Sequence, residues 1–334
     1  MTRIIIDGLQ YCKWSPEIFE EMRIGGVTAV HATVSYWETF RETVSNIATW
    51  KKMLREFPFR MMLARTADDI RMAQESGRTA IILGAQNCTP LDGDIGLVEI
   101  LHDLGLRIMQ LTYNNQSLLA TGCYEPIDNG LTRMGRQVIC EMNRVGMVVD
   151  LSHCSARSAQ DAIEHSCRPV AITHANPSRW HSARRNFSDD VLRALAESGG
   201  ILGLSTYPHH LKGGSGCSLR SFCEMAARTA EIMGTKNIAI GSDLCQGQPN
   251  SVVEWMRNGT WTRTRDYGEG SEEDPGFPEM PQWFSSNKDF GNIAAGLAEV
   301  GFSASEVESI LGLNWLAFFD RSFSRQHCVG EFVG

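Results

Sequence analysis

The chain has 334 residues, 43% of them hydrophobic and 21% charged, which is the balance of a globular protein. Its net charge of -8 excludes a surface that grips nucleic-acid phosphates by charge, because such binding needs a basic face. It leaves open an enzyme acting on a small charged molecule.

The N-terminal run Ile4-Ile5-Ile6 is too short for a secretory h-region or a membrane span, and no later run is long enough to cross a bilayer. The ten cysteines include no CxxC pair, so reduced thiols in a cytoplasmic protein are expected, with no membrane partner.

In chain order, nearly continuous apolar runs predict strands at Ile4–Leu9, Val27–Val34, Thr79–Gln86, Arg107–Tyr113, Met147–His153, Pro169–His174, Ile201–Tyr207 and Ile238–Leu244, with Phe59–Leu63 as a further candidate. Amphipathic stretches between them predict helices at Ser15–Arg23, Glu38–Phe57, Gly96–Leu104, Gly135–Arg144, Ala156–His165, Asp189–Ser198 and Arg220–Met233. Ser188 followed by Asp189 and Asp190 reads as a helix start, and Gly199-Gly200 as a stop. Such alternation implies a parallel sheet, and about eight strands imply a closed (β/α)8 TIM barrel rather than an open sheet. The absence of GxGxxG after the first strand disfavours a dinucleotide fold. A single domain over residues 1–334 is expected, broken by a Gly-, Pro- and Trp-rich loop at about 245–287 that reads as a functional lid or an insert. A last helix, about Ser305–Asp320, is expected on the barrel exterior.

In such a barrel the C-terminal strand ends face the active site. The polar residues there are Gln86, Tyr113, His153, His174 and Asp243. Two histidines on neighbouring strands with an aspartate on the last point to a metal site, since neutral imidazoles bind zinc and the ion lowers the pKa of its bound water to about 7. An aspartate beside that water can take its proton and pass it to a leaving amine. Arg184-Arg185, just before a helix start, reads either as a solvated basic pair or as a clamp for a substrate carboxylate. Trp255, Trp261, Tyr267 and Trp283 in the long loop read as anchors of that loop, with an aromatic wall as the alternative. His209 and His210 are left outside the site, and His31, His102, His165, His181 and His327 are read as packing or surface residues.

The stretches GRQVICEMNRVGMVVDLSHCS, PVAITHANPS, ARRNFSDDVLRALAESGGILGL and IAIGSD, with LGLNW near the C-terminus, resemble the membrane dipeptidase (renal dipeptidase) family of zinc peptidases. His153 and His174 lie 21 residues apart and Arg185 follows 11 later, as in the family pattern. The resemblance implies a (β/α)8 barrel and cleavage of dipeptides with metal-bound hydroxide, and homodimers are common in the family. By position it implies that His153 and His174 hold one zinc, that Arg185 binds the substrate carboxylate and that Asp243 is catalytic. The departures are equally specific. Leu9 and Tyr11 stand where the family has the histidine and aspartate of its other zinc, Gln86 replaces the bridging glutamate, and Tyr113 replaces a substrate-binding histidine. The opening Asp7-Gly8 with Lys13-Trp14 resembles a divergent bacterial dipeptidase-like branch that lacks the first metal motif. The expectation is a metal-dependent hydrolase for a dipeptide or related small amide with a free carboxylate. One zinc per chain is expected, or none, with Gln86 beside His153 and His174 as metal ligands, Asp243 as catalyst, and Arg185 and Tyr113 binding substrate. The alternatives are a non-catalytic binding protein and an enzyme for a small N-substituted amino-acid derivative on the same barrel.

Overall fold

The computed structural model describes residues 3–259, 262–265 and 267–324. His327 and Trp261 fall outside them. The strands are β1 (Ile6–Gln10), β2 (Ala29–Ser35), β3 (Met61–Leu63), β4 (Thr79–Ala85), β5 (Leu106–Gln110), β6 (Val148–Asp150), β7 (Ala171–Ala175), β8 (Ile201–Leu204) and β9 (Ile238–Ile240). All pair in parallel, in the order β1-β2-β4-β5-β6-β7-β8-β9. The short β3 pairs with Thr79–Ile81 of β4, while β5 takes Leu83–Ala85. The ring closes through the segment after β9: Asp243 N donates to Leu9 O at 3.1 Å, and Tyr11 N to Leu244 O at 3.0 Å. Apart from Met62 and Leu63, every strand residue is buried, because helices cover the outside and side chains fill the inside.

Helices fill the gaps between strands, and local chemistry starts several of them. Thr39 and Glu42, Thr66 and Asp69, and Ser303 and Glu306 each form a reciprocal cap. The helix Ala67–Ser76 was not anticipated, although its cap and its buried Ile70 and Ala73 fit the helical period. Ser188 does precede a helix, but its side chain makes no capping bond. The long loop is less irregular than its composition suggests. It contains a helix at Asn250–Asn258, which buries Val253 and Met256 but starts at Pro249 without a side-chain cap. No helix among the described residues is long and apolar enough to cross a membrane.

The C-terminal segment differs from expectation in position. It runs as Ala304–Glu308, a π-turn at Ser309–Leu313, and Asn314–Ser322. Rather than lying on the outer wall, it packs under the N-terminal strand ends. Trp315, Phe318 and Phe319 share a core with Ile6, Ala29, Ala80, Ile108, Val148, Ala171, Ile201 and Ala239. Trp315 is fully buried and its indole N–H donates to Ile240 O at 2.8 Å. These side chains thereby fill the barrel floor.

Inside the barrel the walls come unusually close. A Cβ on Gly84 would fall 1.9 Å from His31 Nε2, and one on Gly241 would fall 1.7 Å from Thr173 O. His31 is fully buried and its Nδ1 donates to Gly8 O at 2.7 Å. Burial pushes its pKa down to about 4, so it packs as a neutral ring. Gly84→Ala is therefore expected to cost about 3 kcal/mol in urea unfolding. His31→Ala in the same chain should recover much of that loss, because the clash is with a side chain. It should recover none of the loss from Gly241→Ala, whose clash is with backbone. A neutral Gly84→Ala would contradict this packing.

Candidate active site

Two of the predicted site residues are aimed by the same local device. Asp7 and Asp150 are both fully buried. Asp150 Oδ1 accepts from Ser152 N at 3.0 Å and Ser152 Oγ at 2.8 Å. The next residue, His153, has φ +67°. Asp7 accepts from Ser242 N at 2.7 Å and Ser242 Oγ at 2.5 Å. The next residue, Asp243, has φ +59°. Asn114 follows β5 with φ +61°. Non-glycine residues avoid this left-handed region at a cost of about 1–3 kcal/mol, and where the fold enforces it the site is commonly functional. Of the four such residues among those described, only Asp92 lies away from the cavity at the strand ends.

His153 and His174 meet there. Their Nε2 atoms are 3.1 Å apart. His153 Nδ1 lies 2.6 Å from Asn114 Oδ1, which can only accept, so Nδ1 carries the proton. His174 Nδ1 lies 2.8 Å from Thr173 Oγ1. That hydroxyl already donates to Asp150 Oδ2 at 2.6 Å and therefore accepts from the ring. Both rings are thus Nδ1–H tautomers, with two Nε2 lone pairs facing each other. Burial first, and then the Arg185 charge, hold both imidazoles well below their ordinary pKa, which disfavours a proton between them. Two imidazole nitrogens on one tetrahedral zinc stand about 3.3 Å apart. The donor set therefore suits one ion. The place of the second is filled otherwise: Leu9 is fully buried, and the Tyr11 ring packs edge-on against Tyr36 at 4.7 Å. No three His, Cys, Asp or Glu side chains among the described residues converge as a metal-binding group.

The remaining predicted residues surround one cavity of about 540 Å³, its open mouth included. It is lined by Gln86, Tyr113, His153, Arg185 and Asp243, while His174 reaches it through its contact with His153. Gln86 Nε2 donates to Thr33 Oγ1 at 2.8 Å and to Tyr36 Oη at 2.6 Å. Tyr113 stacks on His153 with ring centres 4.0 Å apart. Arg185 is 3% exposed; Nη2 donates to His174 O at 3.2 Å, while Nη1 is buried with no partner. A guanidinium with an unused donor in a closed wall is a receptor for an anion. Burial raises the Asp243 carboxyl to about 7, against the lowering effect of Arg185 and with a further upward push from Asp7.

Several lining residues escaped the sequence reading. His209 and His210 both face the cavity, and Ser205 Oγ holds His210 Nδ1 at 2.8 Å. Their place just past β8 was the available signal. Asn114, Tyr124 and Tyr207 line it as well, as do Arg257, Glu269 and Phe277 from the long loop, for which no motif spoke. Trp255 and Trp283 do not. Trp255 packs on Tyr36, and Trp283 packs on Phe222 and donates to Cys217 O at 2.7 Å. Cys12, Cys88, Cys123, Cys154, Cys217, Cys223 and Cys245 are free thiols.

Comparison with known proteins gives the fold and the family. The fold matches the crystal structure of an amidohydrolase from Pseudomonas aeruginosa with a TM-score of 0.91 and 35% identity, over 96% of this chain and 97% of that one. It also matches a metallo peptidase from Rhodobacter sphaeroides liganded with a phosphinate mimic of the dipeptide L-Ala-D-Ala, with a TM-score of 0.81 and 17% identity, over 96% of this chain and all of that one (100%). In sequence, the chain is 28% identical to Dipeptidase tcpJ of Claviceps purpurea over 83% of its own length and 59% of the relative. It is 29% identical to Dipeptidase verJ of Clonostachys rogersoniana over 62% of its own length and 54% of the relative. The chain thus spans somewhat over half the length of these curated relatives. Residues 16–259 match the model of the membrane dipeptidase family (Peptidase family M19), and the chain belongs to that family.

Proposed function

We propose that this chain is a dipeptidase-like hydrolase that cleaves the amide bond of a small substrate carrying a free carboxylate. The observation that supports this most directly is the convergence of Asp243, Arg185 and the His153–His174 pair on one cavity at the strand ends of a membrane dipeptidase barrel. Arg185 holds the substrate carboxylate through its unused Nη1 and so fixes the scissile carbonyl relative to Asp243. Asp243 in its ionised form takes the proton of the attacking water and delivers it to the departing amine. Tyr113 walls the cavity beside His153 and limits water around the reacting carbonyl. His153 and His174, with the Gln86 carbonyl as a neutral third donor, are the residues that would hold a zinc ion. When bound, the ion supplies a lowered water pKa and polarises the carbonyl. A second reading rests on the lack of a third strong ligand among the described residues: a chain that binds such molecules without turning them over.

Dipeptides with a free C-terminal carboxylate should be hydrolysed, and their C-terminal amides should not. Failure to cleave any member of a broad dipeptide panel in the presence of zinc would leave the binding reading in place. Arg185→Met should raise KM at least about tenfold. Asp243→Asn should lower kcat by about 10²–10⁴ with a smaller change in KM.

The base must be ionised to act, and its carboxyl sits near 7. kcat/KM should therefore climb as pH rises towards about 7 and level off above it. A rate flat from pH 5 to 8 would remove Asp243 from the role of base.

A further inference from the structure

The long loop brings its own charges to the cavity. Arg257, on the helix Asn250–Asn258, lines the same space as Arg185. Its side chain makes one hydrogen bond, from Nη1 to Pro275 O at 3.1 Å, and no carboxylate among the described residues lies within ion-pair distance. Two glycines clear its path. A Cβ on Gly270 would stand 3.0 Å from Nη1, and one on Gly268 3.9 Å from Nε. The charge is near enough to Tyr113, Tyr207 and His209 to bias their titration. A third guanidinium, Arg184, lies over the ring of the lining residue Tyr124 at 5.5 Å without lining the cavity itself. Against these stand Asp243 and Glu269, and Glu269 is engaged with Arg184 N at 2.7 Å. Asp274 is near enough to act on His209 as well, so the charges at the mouth are mixed, and what sets Arg257 apart is that it has no carboxylate partner of its own among the described residues.

We infer that Arg257 is a specificity residue that receives a second carboxylate of the substrate, so that the cavity selects dicarboxylate molecules. This rests on the proposed reading of Arg185 as the clamp for the first carboxylate. A guanidinium that is half-buried, held at one nitrogen only and without a counter-ion gains most from an anionic guest. The substrate class that follows is an amide of an acidic amino acid, with its α-carboxylate on Arg185 and its side-chain carboxylate on Arg257.

Binding separates this inference from turnover. The probes are N-acetylglutamate and N-acetylglutamine, which match in shape and differ by one charge, with affinities read by calorimetry on the full chain. The native chain should prefer N-acetylglutamate by about tenfold. Arg257→Met should bring that ratio close to one, and Arg257→Lys should retain part of it. Circular dichroism shows whether each variant is folded. Equal affinities in the native chain, binding of neither probe, or a preference that survives in folded Arg257→Met would overturn the inference. A preference that behaves as expected in a chain that cleaves no dipeptide would uphold Arg257 and defeat the hydrolase reading instead.

Discussion

Two imidazole lone pairs facing each other across 3.1 Å in a buried cavity form an unstable arrangement unless something positive lies between them. Everything around the pair serves to keep it so. Asn114 and Thr173 fix the Nδ1 protons, and Asp150 fixes Thr173. Asp150 also clamps Ser152, the residue that turns the chain into the left-handed backbone of His153. Asp150 takes a further bond from Gln110 Nε2 at 3.0 Å, so its own position is overdetermined. The strain at His153 and Asp243 is thus borne by hydrogen bonds donated by Ser152 and Ser242 to two buried carboxylates on opposite sides of the barrel.

The two sides of the cavity are held by separate sets of contacts. The first-strand positions Leu9 and Tyr11 now belong to the core and to an aromatic cluster with Tyr36, Tyr113 and Trp255. Gln86 is tied to that cluster through Tyr36. The aromatic side of the cavity and the imidazole side meet only where Tyr113 stacks on His153. Asp7, on the same strand as Leu9, is held by Ser242.

The barrel was legible in the sequence because strands buried on both faces leave long apolar runs, which nothing else in a chain of this composition produces. That His153, His174, Arg185 and Asp243 lie together was legible because three of them stand at or just past strand ends and Arg185 follows His174 by the family spacing. Strand lengths were overestimated, since β6 and β9 end three residues before His153 and Asp243. Those residues lie in sharp turns whose geometry depends on buried carboxylates: Asp150, three residues before His153, and Asp7, far from Asp243 in sequence but bonded to Ser242. Asn250–Asn258 was hidden by its Pro and Gly flanks and its missing cap. The loop residues Arg257 and Glu269 could not be placed, because a loop's path is set by what it packs on rather than by its own periodicity. The same holds for Trp315, which reads as an ordinary outer-helix residue and instead plugs the barrel floor.

The pairing of the two rings can be observed directly. Histidine ¹⁵N NMR on the zinc-free protein, titrated with zinc, reports each ring nitrogen separately. One equivalent should move the Nε2 signals of His153 and His174 together while their Nδ1 signals keep the protonated signature. If saturating zinc leaves both Nε2 signals in place, or moves only one of them, the two rings do not share an ion and the chemistry assigned to this cavity is wrong.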